Sequence, residues 1–341
     1  MSTLKELAEY TGFSITTISR VLNNDPTMSV SDATRAKILE AAGKLHYRSS
    51  TRPRRIRTGA PSSLRIAIAE MLSPAEQLVD PYYIYLKNYA EQRCCDCGYS
   101  VIHLSEQAGA YRAPVPTSFD GLLAIGIFSE AQIQNLSALS SNLVFLDSAP
   151  DELKFPSVVL NFQLGVEQAL DYLLARGHRY IGFLGPDRKL DQKKRPAPEV
   201  RRQFFIDYMT RKGLFDPAFL FEAKMTSSDA RAALSARIQS GGALPTALLA
   251  ANEEAAIGAC AALRENDLHV PRDMSIISFN DTPLSTLTDP PLTSVSTHVA
   301  AMSATAVDLL ARSRRDADAL PVKIVVPPSL IERESVYAPI R

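Results

Sequence analysis

Thr3–Leu22, TLKELAEYTGFSITTISRVL, decides how the chain begins. Leu4, Leu7 and Ala8 recur at i, i+3 and i+4, which is one stripe of a helix. Gly12 interrupts the pattern where a turn needs freedom in φ. Ser14 is a good N-cap for a second helix, because its hydroxyl can accept from a free N–H in the next turn. In that helix Ile18, Val21 and Leu22 form the inward stripe, while Thr16, Thr17 and Arg20 face outward. Two helices around a glycine turn, presenting short polar side chains and an arginine, fit a helix-turn-helix that reads DNA. A plain αα-hairpin with a solvated polar face is the competing reading.

The sequence just downstream favours DNA. After a loop containing Pro26, Ser31 caps a third helix, with Asp32 where a negative charge suits the helix dipole. Ile38, Leu39, Ala42 and Leu45 are its buried stripe. Arg48–Ser63, RSSTRPRRIRTGAPSS, then reads as a linker by its Gly, Pro and Ser content. It concentrates Arg52, Arg54, Arg55 and Arg57 around Ile56, a composition suited to phosphates or a minor groove; a solvated basic linker is the alternative. The chain is formally neutral, yet residues 1–60 hold 10 Lys and Arg against 5 Asp and Glu, and the rest 27 against 32. A basic head on an acidic body directs the head, and not the body, to a polyanion.

From Leu64 the pattern changes. LRIAIAE, SVIHLS, GLLAIG, NLVFLD, SVVLN, YIGFLG, ALLAAN and SIISFN read as apolar strands. Helical stretches fall at Tyr82–Cys97, Glu130–Leu139, Gln163–Arg176, Glu199–Lys212 and Glu253–Asn266. Strands apolar throughout and alternating with helices argue for parallel sheets covered on both faces. About eleven strands in roughly 275 residues exceed one tidy sheet, so two doubly wound subdomains are expected. Ligands in such sheets bind beyond the carboxyl ends of the strands. Those ends are polar here: Glu70, Asp147, Asn161, Asn252 and Asn280–Asp281. Amides and carboxylates there suit a hydroxyl-rich ligand, unless each merely caps the helix that follows.

Composition and motifs narrow the function. At 341 residues, 46% hydrophobic and 22% charged, the chain has the make-up of a multidomain soluble protein. No apolar run has the ~18 residues of a membrane helix. MSTLKELAEY has no apolar signal region, so a cytoplasmic protein without membrane contact is expected. Cys94 and Cys97 form a CxxC without a second ligand pair, which favours reduced structural thiols over a metal or redox site. There is no GxGxxG after the first strand, no GxxxxGK[ST], no GxSxG and no HExxH. The five histidines are scattered; His178 in ARGHRYIG reads as a surface or capping residue. No catalytic residue, metal or cofactor is expected, and an enzyme is the weaker reading.

The residues quoted above resemble the LacI/GalR family of bacterial transcriptional regulators. TLKELAEYTGFSITTISRVLN keeps the family order A-x-x-[AT]-G-x-S-x-x-T-[IV]-S-R-V-[LV]-N through Ala8, Gly12, Ser14, Thr17, Ser19, Arg20 and Asn23. VSDATRAKILEAAGKLHY, ARGHRYIGFLGP, PTALLAANEEAAIGA and VPRDMSIISFNDTPLSTLTDPPLTSVS extend the resemblance over nearly the entire chain. Within the family, NDPTMSV, DPYY and SFNDTP look most like lactose-type repressors of evolved β-galactosidase operons.

The resemblance implies a homodimer on a palindromic double-stranded DNA operator. Ile15, Thr16 and Arg20 fall at its base-reading positions. Ser14, Thr17, Ser19, Asn23, Ser31 and Thr34 fall at or near phosphate-contacting ones. Arginine can pair bidentately with guanine and threonine can meet a thymine methyl, whereas Ile15 offers apolar contact alone. Ile56, beside Arg54, takes the place of the hinge leucine that enters the minor groove, and Pro53 stands where the family usually has Ala. A hinge helix is therefore expected to start at Pro53 or to form poorly. The family's sugar pocket maps onto Asp147, Arg201, Asn252, Asn280 and Asp281, with Asp80 and Tyr83 lining it and Met225 replacing a stacking aromatic. No leucine heptad trails the chain, so a dimer is expected.

The expected fold is α/β: a three-helix helix-turn-helix head and two doubly wound, periplasmic-binding-protein-like subdomains. The expected boundaries are 1–47 for the head and 48–61 for the hinge. One subdomain would comprise 62–160 with 293–321, the other 161–292 with 322–341. The expected function is a repressor released from its operator by a sugar, a galactoside such as lactose. Two alternatives are a purine-like corepressor that strengthens DNA binding, and a sugar-binding or sugar-processing protein without repression.

Overall fold

The structure, a computed structural model, describes residues 4–14, 17–18, 21, 34, 37–38, 41, 64–77, 81–315 and 320–339. The chain divides into two compact units, Met1–Ala60 and Pro61–Arg341.

In the first unit a helix spans Leu4–Thr11. Its end is closed by Gly12 N–H donating to the Ala8 carbonyl, at a φ of +73° that suits glycine. Thr17 N–H donates to Ser14 Oγ at 3.1 Å, the cap expected for the second helix. Thr17, Ile18 and Val21 are helical, as are Thr34, Lys37, Ile38 and Ala41. Leu7, Ile18, Val21, Ile38 and Ala41 form one small buried core. Leu7, Ile18, Val21 and Ile38 of the expected stripes therefore face one another and Ala41 joins them, while Leu22, Leu39, Ala42 and Leu45 lie outside the described residues. The hinge 48–61 lies outside the described residues.

In the second unit the strands are β1 Arg65–Glu70, β2 Ser100–His103, β3 Ser105–Gln107, β4 Ala110–Arg112, β5 Gly121–Ile125, β6 Leu143–Leu146, β7 Ser157–Leu160 and β8 Ile181–Gly185. They continue with β9 Arg188–Leu190, β10 Pro196–Pro198, β11 Leu220–Glu222, β12 Ala247–Ala250, β13 Ser275–Asn280, β14 Thr293–Ser296, β15 Lys323–Val326 and β16 Ser329–Ile331. One six-stranded sheet runs β15-β7-β6-β5-β1-β2, every neighbour parallel. The other runs β11-β8-β12-β13-β14-β16, parallel except for its last pair. The central strands β5, β8 and β12 are buried at every residue, which is why they carry no polar alternation. β3–β4 and β9–β10 are separate antiparallel hairpins.

Each sheet has a core on both faces. The helices Tyr82–Asp96 and Val299–Arg315 cover one side of the first sheet through Leu86, Ala90, Met302, Ala306 and Leu310. Ser303 Oγ donates to the Leu86 carbonyl at 2.8 Å, and Arg93 grips Asp308 at 2.7 Å. Phe162–Ala175 and Val200–Arg211 cover one face of the second sheet, Ser227–Gln239 and Glu253–Glu265 the other.

Three links cross between the lobes: 161, 297–298 and 327–328. Strand pairing puts 293–296 in the second lobe and 322–326 in the first, the reverse of the expected assignment of these two segments. β14 pairs with β13, and β15 pairs with β7. Four-residue strands carry no sign of which sheet they join; pairing decides it. The helices Ser227–Gln239 and Val299–Arg315 also went unread, because Ala and Ser dilute their apolar stripes.

The four cysteines are free thiols. Cys94 is buried in the first core, which pushes its thiol up to about 12, and Cys97 caps its helix. No helix among the described residues is long and apolar enough to cross a membrane.

Candidate functional site

The carboxyl ends of both sheets open on a cleft, and backbone strain marks it. Asp147, at the end of β6, has φ +69°; Asn280 and Asp281, at the end of β13, have φ +102° and +57°. Asn and Asp tolerate this region better than other non-glycine residues, and such strain gathers at functional sites.

On the first lobe Tyr82 and Tyr83 donate their hydroxyls to Asp147 Oδ1 and Oδ2 at 3.3 and 3.1 Å. Burial pushes the Asp147 carboxyl up to about 6, against the opposing pull of Lys189, the two tyrosines and Arg201. Lys189 and Arg201 come from the second lobe, so both lobes set the charge of one carboxylate.

On the second lobe Arg201 is buried in the first turn of its helix. Its Nε donates to Glu199 Oε1 at 2.8 Å, and its other nitrogens reach Glu199, the Ala251 carbonyl and Met225 Sδ. The guanidinium lies over Phe162 and Phe279, 5.4 and 5.6 Å from their centroids. Glu199 also caps that helix, accepting from Arg202 N–H.

Asn252 is fully buried and caps the helix Glu253–Glu265, accepting from Ala255 N–H at 2.9 Å. Both its amide hydrogens are engaged, by the Met225 carbonyl and Glu254. The capping alternative thus describes Asn252 in this state, and Asn161 too, which accepts from Leu164 N–H. Asp281 is paired with Arg333 at 2.7 Å. Buried Glu253 accepts from Thr282 and Ser285, fixing the loop after Asn280–Asp281.

The fold therefore brings Tyr83 and Asp147 together on one lobe, and Arg201, Met225, Asn252, Asn280 and Asp281 on the other. Asp80 lies outside the described residues. So do Ile15, Thr16, Ser19, Arg20, Asn23, Ser31, Arg54 and Ile56 of the DNA-binding set. Ser14, Thr17 and Thr34 are described; Ser14 is exposed, the other two half-buried. Reading the sequence missed Tyr82, Phe162, Lys189, Glu199, Glu253, Phe279 and Arg333. Glu199 had a local signal, an acid two residues before Arg201 at a helix start; the others required the fold.

The β9–β10 hairpin leaves the second lobe and meets the first: Gln192 Oε1 accepts from Ala149 N–H at 2.7 Å. A cavity of about 880 Å³ lies under it, lined by Glu70, Glu76, Tyr83, Glu106, Lys189 and Lys194 among others.

A head with helix-turn-helix features, followed by a two-lobed periplasmic-binding-like body, defines a DNA-binding regulator with an effector domain. The family described as bacterial regulatory proteins, lacI family, matches residues 3–50, and the periplasmic binding protein-like domain matches residues 170–336. The chain is 36% identical over 314 residues to the HTH-type transcriptional regulator GalR of Streptococcus thermophilus, covering 91% of this chain and 92% of that one. It is 32% identical over 338 residues to the HTH-type transcriptional regulator GanR of Bacillus subtilis (strain 168), covering 98% and 100%. Among solved structures, the lac repressor dimer bound to operator and the anti-inducer ONPF matches with a TM-score of 0.65 at 24% identity, over 99% of both chains. The chain belongs to the LacI family: it is a transcriptional regulator that binds DNA, and not an enzyme.

Proposed function

We propose that this regulator represses transcription by holding a palindromic operator as a homodimer, and that a sugar, a galactoside such as lactose, releases it. The observation that carries the sugar site is Asp147 of one lobe placed within electrostatic reach of Arg201 of the other. A hydroxyl-rich ligand between them would accept from the guanidinium and donate to the carboxylate, drawing the lobes together. Tyr83, Met225, Asn252, Asn280, Asp281 and Asp80 complete the proposed effector set. For Asn252 to serve, its bond to Met225 or Glu254 must open.

On the DNA side, Ile15, Thr16 and Arg20 would read bases, and Ser14, Thr17, Ser19, Asn23, Ser31 and Thr34 would meet phosphates. Arg54 and Ile56 would act in the minor groove. Relatives named GalR and GanR support the sugar reading. A regulator of transcription works in the cytoplasm of a bacterium, and that is its proposed location.

The ligand shifts DNA affinity only by its differential affinity for the two lobe arrangements, typically ~1–3 kcal/mol. Fluorescence anisotropy of labelled DNA from the gene's own upstream region, at two salt concentrations, tests this. Tight salt-sensitive binding that lactose or another galactoside weakens is expected. Unchanged DNA affinity with every saturating sugar overturns the inducer role. Strengthening by a purine instead gives the corepressor reading.

A further inference from the structure

We propose that the β9–β10 hairpin is a charge-based latch that holds the two lobes together whether or not an effector is bound. This goes beyond the sugar reading and does not rest on it.

The hairpin is basic. Residues 188–198 carry Arg188, Lys189, Lys193, Lys194 and Arg195 against one acid, Asp191. That acid is spent inside the hairpin. Its Oδ1 accepts from Lys193 N–H and Arg195 N–H at 2.8 and 2.9 Å, and its Oδ2 from Arg195 Nε at 2.8 Å. The turn is thus closed without calling on the ammonium groups of Lys193 and Lys194.

Those two groups face acids of the other lobe. Lys194 shares the cavity of about 880 Å³ with Glu70, Glu76 and Glu106. Lys193 shares a separate cavity of about 250 Å³ with Glu130 and Asp151, whose wall also holds Lys154. Beside them Gln192 touches the first lobe directly, its Oε1 accepting from Ala149 N–H at 2.7 Å. Three consecutive residues of one turn therefore meet the first lobe at three places. The acids register the charges opposite. Ser73 is the main cause holding the Glu76 carboxyl below its ordinary value, and Lys194 adds to it from the second lobe. Lys154 is the main cause for Asp151, and Lys193 adds to it. Lys189 acts on Asp147 and belongs to the site described above.

Each such pair of exposed charges is weak in water, but several act together. Salt screens all of them at once: the Debye length falls from ~14 Å at ~50 mM to ~4 Å at ~500 mM. A latch of this kind biases the lobe arrangement without a ligand and releases as ionic strength rises. A hairpin held by its hydrogen bond and apolar packing alone would keep its hold.

Hydrogen exchange of the full chain without added sugar, at about 50 mM and about 500 mM NaCl, tests this through peptides covering the hairpin and Ala149. Their protection should fall about threefold or more at high salt, while β12 in the core keeps its own. Lys193→Glu should give a similar loss at low salt. Glu130 is exposed at the first position of its helix, so Glu130→Lys can be added without disturbing the core. Lys193→Glu with Glu130→Lys should recover about half of the lost protection or more. Protected β12 amides report in the same experiment that each variant is folded. Protection indifferent to salt overturns the latch. So does a salt effect that Lys193→Glu fails to reproduce, or a loss that Glu130→Lys does not repair.

Discussion

Glu199 and Arg201, two residues apart, form a buried ion pair at 2.7 Å at the start of the helix Val200–Arg211. Removing one member of such a pair leaves the other as an uncompensated buried charge. Glu199→Gln should therefore cost ~3–5 kcal/mol of stability and blunt the effector response. Urea unfolding reads the first and anisotropy with sugar the second. A loss under ~1 kcal/mol would show that the pair is relaxed by solvent.

Asp147 predicts a pH dependence. Its folded pKa, pushed up to about 6, lies above the ordinary value of 3.8, so the folded state favours its protonated form. Its stability contribution is full below about 3.8 and is lost as pH rises through about 6. Asp147→Asn should remove that loss, gaining ~2 kcal/mol at pH 7 relative to pH 4, while weakening sugar binding. Denaturation midpoints of both proteins across pH 4–7 check the sign. Parallel curves would place the carboxylate in solvent.

His178 predicts the opposite slope. It is buried, with Nε2–H donating to the Tyr337 carbonyl at 2.8 Å and Nδ1 beside Thr246 Oγ1 at 2.9 Å. This is a core clamp on the C-terminal segment, and it corrects the surface reading. Burial lowers its pKa from 6.5, so the folded state favours the neutral ring. The stability it lends is present above 6.5 and lost as pH falls through its lowered folded value. His178→Ala should cost ~2 kcal/mol at pH 7 by unfolding, with a smaller cost at pH 5. An equal cost at both pH values would contradict the neutral clamp.

Ser14 separates a cap from a phosphate contact. Its Oγ accepts from Thr17 N–H at 3.1 Å. Ser14→Ala should lower head stability by ~1 kcal/mol and weaken DNA binding. Ser14→Asp should restore the cap while repelling phosphate, so melting recovers and DNA affinity falls further. Recovery of both by Asp would mean that the position only caps.

Much of the candidate site was legible because strand ends are. Asp147, Asn252 and Asn280–Asp281 each follow an apolar run, and the chain there must stop being a strand and become a turn. That local requirement shows in composition. Illegible was how each side chain spends its hydrogen bonds. Asn252 read as either a ligand group or a helix cap, and only the fold shows that Met225, 27 residues away in the chain, takes one of its amide hydrogens. Phe162 and Phe279 carry no local sign of a role at the site; their contact with Arg201 arises from packing between separate elements.

By itself the sequence determined the order of the parts: a capped two-helix unit with a basic tail, then parallel sheets built from buried strands. Period, caps and charge act over a few residues, so local chemistry suffices to write them. Only the tertiary structure decided that β14 joins one sheet and β15 the other, that the β9–β10 hairpin reaches the facing lobe, and that a large cavity opens beyond Tyr83. Those outcomes depend on pairing and packing between segments far apart in the chain, where many partners satisfy the same local pattern and only the assembled core selects one.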